Sequence, residues 1–199
     1  MSRSGVAIWT IAGLAAGSIP FAYLVERIVG QADIRDFGSH NPGGMNVWRV
    51  LGWPYGALVI GLDFLKGLIP VGLAHYAFGV GGWYLAAVAL APIVGHAYTP
   101  WLGFRGGKAI AVSFGVWGGL MGWPGILLLI LAEGIFLAVW KADSWVSVAG
   151  IVLFIVFLWI TGGAVRDMIV AAINGLVVAQ RYWPEFKDGP RPRFARGQT

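Results

Sequence analysis

Seven apolar runs follow one another along this chain, over residues 5–25, 54–75, 82–98, 109–121, 124–140, 145–161 and 164–182, with short polar breaks between them. In a bilayer no water bonds to peptide N–H and C=O groups, so each spanning segment must close its own hydrogen bonds as a helix. About 20 apolar residues cross the hydrocarbon, and most of the runs come near that length. Composition agrees: 58% of residues are hydrophobic and only 12% charged, against roughly 25% charged in soluble domains. The predicted fold class is all-α, a polytopic membrane bundle of about seven transmembrane helices. Residues 1–199 form one domain, with 184–199 as a polar, loosely ordered cytoplasmic tail.

Pro54 and Pro124 each suit a first helical position, where a missing N–H is harmless. The pairs Gly81-Gly82, Gly118-Gly119 and Gly162-Gly163 read as breaks. The fourth run is short, which suits a helix tucked among its neighbours. A secretory signal needs its positive charge before the apolar run. Here Arg3 stands alone before the first run while Arg27 and Arg35 follow it, so a retained helix with an outer N-terminus is expected. With that orientation eleven of the 14 Lys and Arg fall on the inner side, Arg3 and Arg166 on the outer side, and Lys66 within a helix. This is the positive-inside bias of a chain whose C-terminus is cytoplasmic. The net charge of +5 is then explained by topology and anionic lipid headgroups rather than by nucleic acid. Cys is absent, which excludes disulfides and thiolate metal sites.

Two polar loops share the inner side. One is "DIRDFGSHNPGGMNVWRV", the other "GHAYTPWLGFRGGKAIAVSFG". Glycines let a backbone turn sharply and aim several N–H groups at one anion, and a following helix adds its positive end. In "FRGGKA", Arg105 and Lys108 supply charge and Gly106 and Gly107 the turn. In the first loop Gly38, Ser39, Asn41 and Asn46 offer hydrogen-bonding groups, and Arg49 follows with charge. Together they suit a phosphate pocket at the membrane surface. Taken singly, "GGK" is weak and is not a P-loop, because the four-residue spacer and Lys-[Ser/Thr] ending are missing. Arg105 and Lys108 are equally explained as topology signals, and the glycines as turns or close helix contacts.

Asp63 and Lys66, three apart inside the second run, share a helix face. They read as an ion pair that fixes packing and shapes the pocket. Glu133, also within a run, has no evident partner and faces either the bundle or an interface. Of the histidines, His96 is the best placed for orientation or proton transfer; His40 lies in the first loop and His75 near the outer face. No HxxxxD, HExxH, GxSxG or clustered Asp run is present, and no metal or cofactor is expected.

Several motifs in order resemble the bacterial membrane glycerol-3-phosphate acyltransferases called PlsY. "GSIPFAYLV" is similar to that family's first-helix signature. "DIRDFGSHNPGGMNVWRVLG" is similar to its Gly-Ser-Gly-Asn…Thr-Asn…Arg loop, "DFLKG" to its Asp-x-x-Lys-Gly, and "GHAYTPWLGFRGGKAIA" to its Gly-His…Gly-Gly-Lys-Gly loop. The resemblance implies acyl transfer from acyl phosphate to the 1-position of glycerol 3-phosphate, giving lysophosphatidic acid and phosphate without metal or coenzyme A. It implies a pocket lined by Ser39, Asn46, Arg49, His96, Arg105, Gly107 and Lys108, with Ser39, His96 and Lys108 as catalytic candidates. It also implies a bacterial plasma-membrane location, membrane lipids as surroundings, and transient contact with the soluble enzyme that makes acyl phosphate.

The chain departs from that pattern at several positions. His40 stands where the loop usually has Gly, and Gly44-Met45 where it has Ala-Thr. Ala109 replaces a Gly after the lysine, and Val112 replaces a Thr beside Ser113. The last helix keeps Asn174, a further phosphate-binding candidate, loses a His and the neighbouring basic residues, and offers Arg181 as a partial replacement charge. Two further possibilities stay open on the residues alone. One is a small-anion transporter, although polar groups at one face and no repeat count against it. The other is a diverged relative that acylates another acceptor or only binds phosphorylated lipid.

Overall fold

The computed structural model describes residues 3–30, 33–141 and 143–189. Among these residues no strand occurs, and every apolar run is helical. The first run forms two helices, α1 (Arg3–Ser18) and α2 (Phe21–Val29). A short helix not expected from the sequence, α3 (Gly44–Leu51), follows in the first polar loop. Then come α4 (Trp53–Gly72), α5 (Gly82–Ala97), α6 (Ile110–Met121), α7 (Trp123–Val139), α8 (Asp143–Ile160) and α9 (Val165–Tyr182). Pro54 and Pro124 sit at the starts of α4 and α7 as expected. The chain after α9 continues as a 3-10 helix, Trp183–Asp188; positions 190–199 of the polar tail lie outside the described residues.

The segments Gly5–Val29, Trp53–Ala77 and Gly82–Leu102 are long and apolar enough to cross a membrane, and Ile110–Met121, Trp123–Val139 and Ser144–Ile160 are shorter apolar helices. A helix buried inside a bundle need not span alone. The short α6 is the clearest case. Val112, Gly115, Val116, Trp117 and Leu120 are all buried, so α6 sits at the centre of the bundle. It can enter there because Gly115 lets its backbone touch that of α4: a Cβ at Gly115 would collide with the Phe64 carbonyl. Gly17 serves the same purpose where α1 crosses α5 at Pro92. Glu133 faces the bundle, at the α7–α8 crossing, where Gly150 leaves room for it.

The break between α1 and α2 follows from Pro20, which has no N–H to donate. The carbonyls where the helix ends lose their helical partners, and distant residues supply bonds to two of them. Lys66 Nζ donates to the Ile19 carbonyl at 2.9 Å, and Thr99 Oγ1 donates to the Ser18 carbonyl at 2.5 Å. Lys66 Nζ also lies 2.8 Å from Asp63 Oδ1, with both side chains about 5% exposed or less. The expected ion pair therefore exists, and it ties α4 to the break in the first run.

Replacing Asp63 by Leu strands the Lys66 ammonium among apolar groups and is expected to destabilise the protein by about 3–5 kcal/mol. Adding Lys66→Met removes the stranded charge and is expected to recover most of that loss. Thermal unfolding in detergent checks this; a double variant as unstable as the sum of its singles would contradict a mutually compensating pair.

Candidate functional site

The first polar loop is organised around Asn46, at the start of α3. Its Nδ2 donates to the carbonyls of Ile34 at 3.0 Å and Phe37 at 2.9 Å, and its Oδ1 accepts from Ser39 N at 3.0 Å. Gly38 has φ +58° and passes directly over Asn46 Oδ1, where a side chain would clash. These bonds hold Ser39 at the rim. Upstream, Arg35 Nε and Nη2 grip the Asp33 carboxylate at 2.5–3.1 Å. Hydrogen bonding to that guanidinium holds the Asp33 carboxyl below its usual range. His40 Nδ1 lies 2.9 Å from the Arg35 carbonyl, close enough to donate to it in the Nδ1–H tautomer.

The second loop doubles back on the end of α5. Gly106 N donates to the Ala97 carbonyl at 3.1 Å and Gly107 N to the His96 carbonyl at 3.2 Å. Gly107 lies against His96 Nε2 so closely that any side chain there would collide with the ring. The other ring nitrogen, Nδ1, is 3.7 Å from Asp63 Oδ1. The loop then places Lys108 and starts α6, whose first N–H groups have no capping side chain.

Between the two loops lies a cavity of about 280 Å³. Ser39, Asn41, Asn46, Arg49, Asp63, His96 and Lys108 line it, with the open N-terminus of α6 at Ala109–Ala111. Met45, Ile60, Ile110 and Phe114 add apolar side chains to the same lining. Cationic side chains and a positive helix end together with apolar surface can hold a phosphate with a hydrocarbon tail attached. A wider mouth, about 700 Å³, shares Ser39, Asn41 and Lys108 with the cavity and adds Arg35, His40, Arg105 and Arg181.

Residues 7–188 match the family model "Glycerol-3-phosphate acyltransferase". The glycerol-3-phosphate acyltransferase of Aquifex aeolicus is 38% identical over 169 residues, covering 83% of this chain and 85% of that protein. The protein also superposes on the crystal structure of PlsY, an integral membrane glycerol 3-phosphate acyltransferase, in its glycerol 3-phosphate form. That match has a TM-score of 0.83 and 33% identity, covering 92% of this chain and 90% of the other. The lysophosphatidic acid form of PlsY gives a TM-score of 0.80 at 31% identity, with the same coverage. The chain belongs to the glycerol-3-phosphate acyltransferase family.

Within that family fold the expected site residues separate into groups. Ser39, Asn41, Arg49, His96 and Lys108 converge on the cavity, and Arg105 stands in its mouth. Asn46 borders the cavity, but both its amide hydrogens are engaged inside the loop, so it builds the loop floor. Gly38, Gly106 and Gly107 act through backbone geometry; the last two border a small polar space beside Asp63, Lys66 and His96. Asn174 is not a lining residue. It is fully buried, donates to Ser113 Oγ at 2.8 Å and accepts from Trp117 Nε1 at 3.3 Å, bonding α9 to α6 in the interior. Tyr182 and Glu185 are not picked out by the sequence, and Arg181 appears there only as a replacement charge. All three reach the second loop from the end of α9, and only their basic-aromatic-acidic run, "QRYWPE", signals them.

Two departures from the family pattern fall where the backbone is left-handed. His40 has φ +56° and Ala109 φ +65°, conformations that cost an L-residue about 1–2 kcal/mol. Histidine is among the residues enriched there; alanine is not. Ala109→Gly is therefore expected to stabilise the protein by up to ~1 kcal/mol, net of glycine's greater unfolded-state freedom, with activity retained. A lowered Tm would show that Ala109 is unstrained.

Proposed function

We propose that this protein transfers a fatty acyl group from acyl phosphate to the 1-hydroxyl of glycerol 3-phosphate, releasing lysophosphatidic acid and inorganic phosphate. The observation that carries this reading is a single cavity lined both by the cations Arg49 and Lys108 and by apolar side chains. Family membership supports the reaction class.

The acyl chain lies against Met45, Ile60, Ile110 and Phe114. Arg49, Lys108 and the N-terminus of α6 hold the phosphate group. The acceptor's hydroxyl oxygen attacks the acyl carbonyl carbon, forming a tetrahedral oxyanion. The bond from that carbon to the phosphate oxygen then breaks, leaving an ester and phosphate. Ser39 hydrogen-bonds the acyl phosphate or the acceptor hydroxyl. Positive groups placed where charge builds lower the barrier, and holding two substrates side by side supplies much of the rest. The departing phosphate accepts the hydroxyl proton, so no strong protein base is needed. His96, wedged between Asp63 and Gly107, orients the loop that carries Lys108.

The purified protein is expected to release phosphate from palmitoyl phosphate only with glycerol 3-phosphate present, forming lysophosphatidic acid. Lys108→Ala is expected to lower kcat/KM by roughly a hundredfold or more. His96→Ala should keep more of the rate than Lys108→Ala if substrate phosphate takes the proton; a comparable loss together with disappearance of an ionisation from the pH–rate profile would make His96 the base. Phosphate release without lysophosphatidic acid, or none from folded protein, would point to another acceptor or to binding alone.

We also infer a bacterial plasma-membrane protein whose site faces the cytoplasm, in reach of the soluble enzyme that makes acyl phosphate. The positive-inside bias supports this orientation. The absence of Cys makes the test clean. In intact cells Thr161→Cys should react with an impermeant maleimide and Trp101→Cys should not; the opposite pattern inverts the topology.

A further inference from the structure

The end of α9 closes onto the second loop. Arg181 Nη2 donates to the Gly106 carbonyl at 2.5 Å. Lys108 Nζ sits 4.1 Å from the centroid of the Tyr182 ring. One turn on, Glu185 forms an ion pair with Lys108. The proposed reaction gives Lys108 a phosphate, yet in this structure a carboxylate from the same chain holds that place.

The two partners differ in how firmly they are placed. The Lys108 side chain is 15% exposed and that of Glu185 is 42%. The ammonium is seated over an aromatic face, where a cation is favoured. Its partner carboxylate is close to half in water and lines the open mouth into which it can swing. An ion pair this wet contributes little. A phosphate brings more charge and more acceptor oxygens than one carboxylate, and Arg49 and the N-terminus of α6 attract it as well.

We propose that Glu185 is a displaceable internal anion. It keeps Lys108 aligned before substrate arrives, yields it to the substrate phosphate, and takes it back as inorganic phosphate leaves. Its competition lowers phosphate affinity below what the cations alone would give, which speeds product release. Glu185 is thus a positioning residue that acts through Lys108. The inference rests on Lys108 as a phosphate-binding group, as in the function proposed above.

The test is titration calorimetry of the purified full chain with inorganic phosphate, which needs no turnover. Wild type is compared with Glu185→Gln, Glu185→Asp, Lys108→Met and the double variant Glu185→Gln/Lys108→Met. Glu185→Gln is expected to bind phosphate roughly three- to tenfold more tightly, and Glu185→Asp, which keeps the charge, to stay closer to wild type. The gain should vanish in the double variant. In turnover, Glu185→Gln should lower KM for the phosphate substrate and the Ki of product phosphate, and any fall in kcat should track slower phosphate release. A purely structural anchor would instead lose stability with KM and Ki unchanged. No tightening, including no measurable binding in either protein, overturns the proposal, as does tightening that persists without Lys108. If Glu185→Gln does not fold, Glu185→Ala is measured in its place; failure of both makes Glu185 a structural anchor and also overturns it. The two readings fail separately. Phosphate binding through Lys108 without lysophosphatidic acid formation sinks the acyl transfer, whereas normal turnover with unchanged phosphate affinity in Glu185→Gln sinks only the internal anion.

Discussion

From the middle of α4, Lys66 extends its ammonium to two acceptors: the Asp63 carboxylate three residues back and the Ile19 carbonyl at the break between α1 and α2. An ammonium and a carboxylate in an apolar interior are each very unfavourable alone. Together, with the carbonyl of a broken helix as third partner, they become a fixed junction. The chain entering from α1 can then turn into α2, the first polar loop can cross above α4, and Asp63 remains beside His96. The cavity is thus framed by a contact that never touches the reacting carbonyl.

Around that junction the two loops are built by different means. The first uses a side chain, Asn46, to gather three backbone groups and present Ser39. The second uses backbone, folding Gly106 and Gly107 back onto the carbonyls that end α5 and leaving the first N–H groups of α6 open. Lys108 and Arg49 therefore approach the same space from elements with independent supports. In the proposed reaction such supports would hold charge in place before the oxyanion forms, which is what electrostatic preorganisation requires. The departures at His40 and Ala109 place side chains at left-handed positions without removing a cation from the cavity, so at these two positions the change is one of backbone strain rather than lost charge.

Much of the fold was legible because the membrane leaves few options. Apolar runs become helices, Pro54 and Pro124 start them, and an unusually short run can only be central. Much of the cavity's polar lining was legible because glycine, charge and a helix start lie close together, as in "FRGGKA". The misreadings share a cause. The break at Ile19–Pro20 is stable only because Lys66 and Thr99 reach it from 47 and 81 residues away. Asn174 looked like a ligand-binding amide, but its partners Ser113 and Trp117 come from α6. Glu185 looked like tail, but it meets Lys108 across the bundle.

By itself the sequence determined the class of structure, the order of the helices and the residue types gathered at one face. Those follow from backbone hydrogen bonding in lipid and from local spacing, which a linear chain displays. The tertiary structure decided which polar groups face a ligand and which are consumed in holding the protein together. That division depends on through-space partners: an amide with both hydrogens engaged offers no donor to a ligand, and an ammonium already paired must give up its partner first.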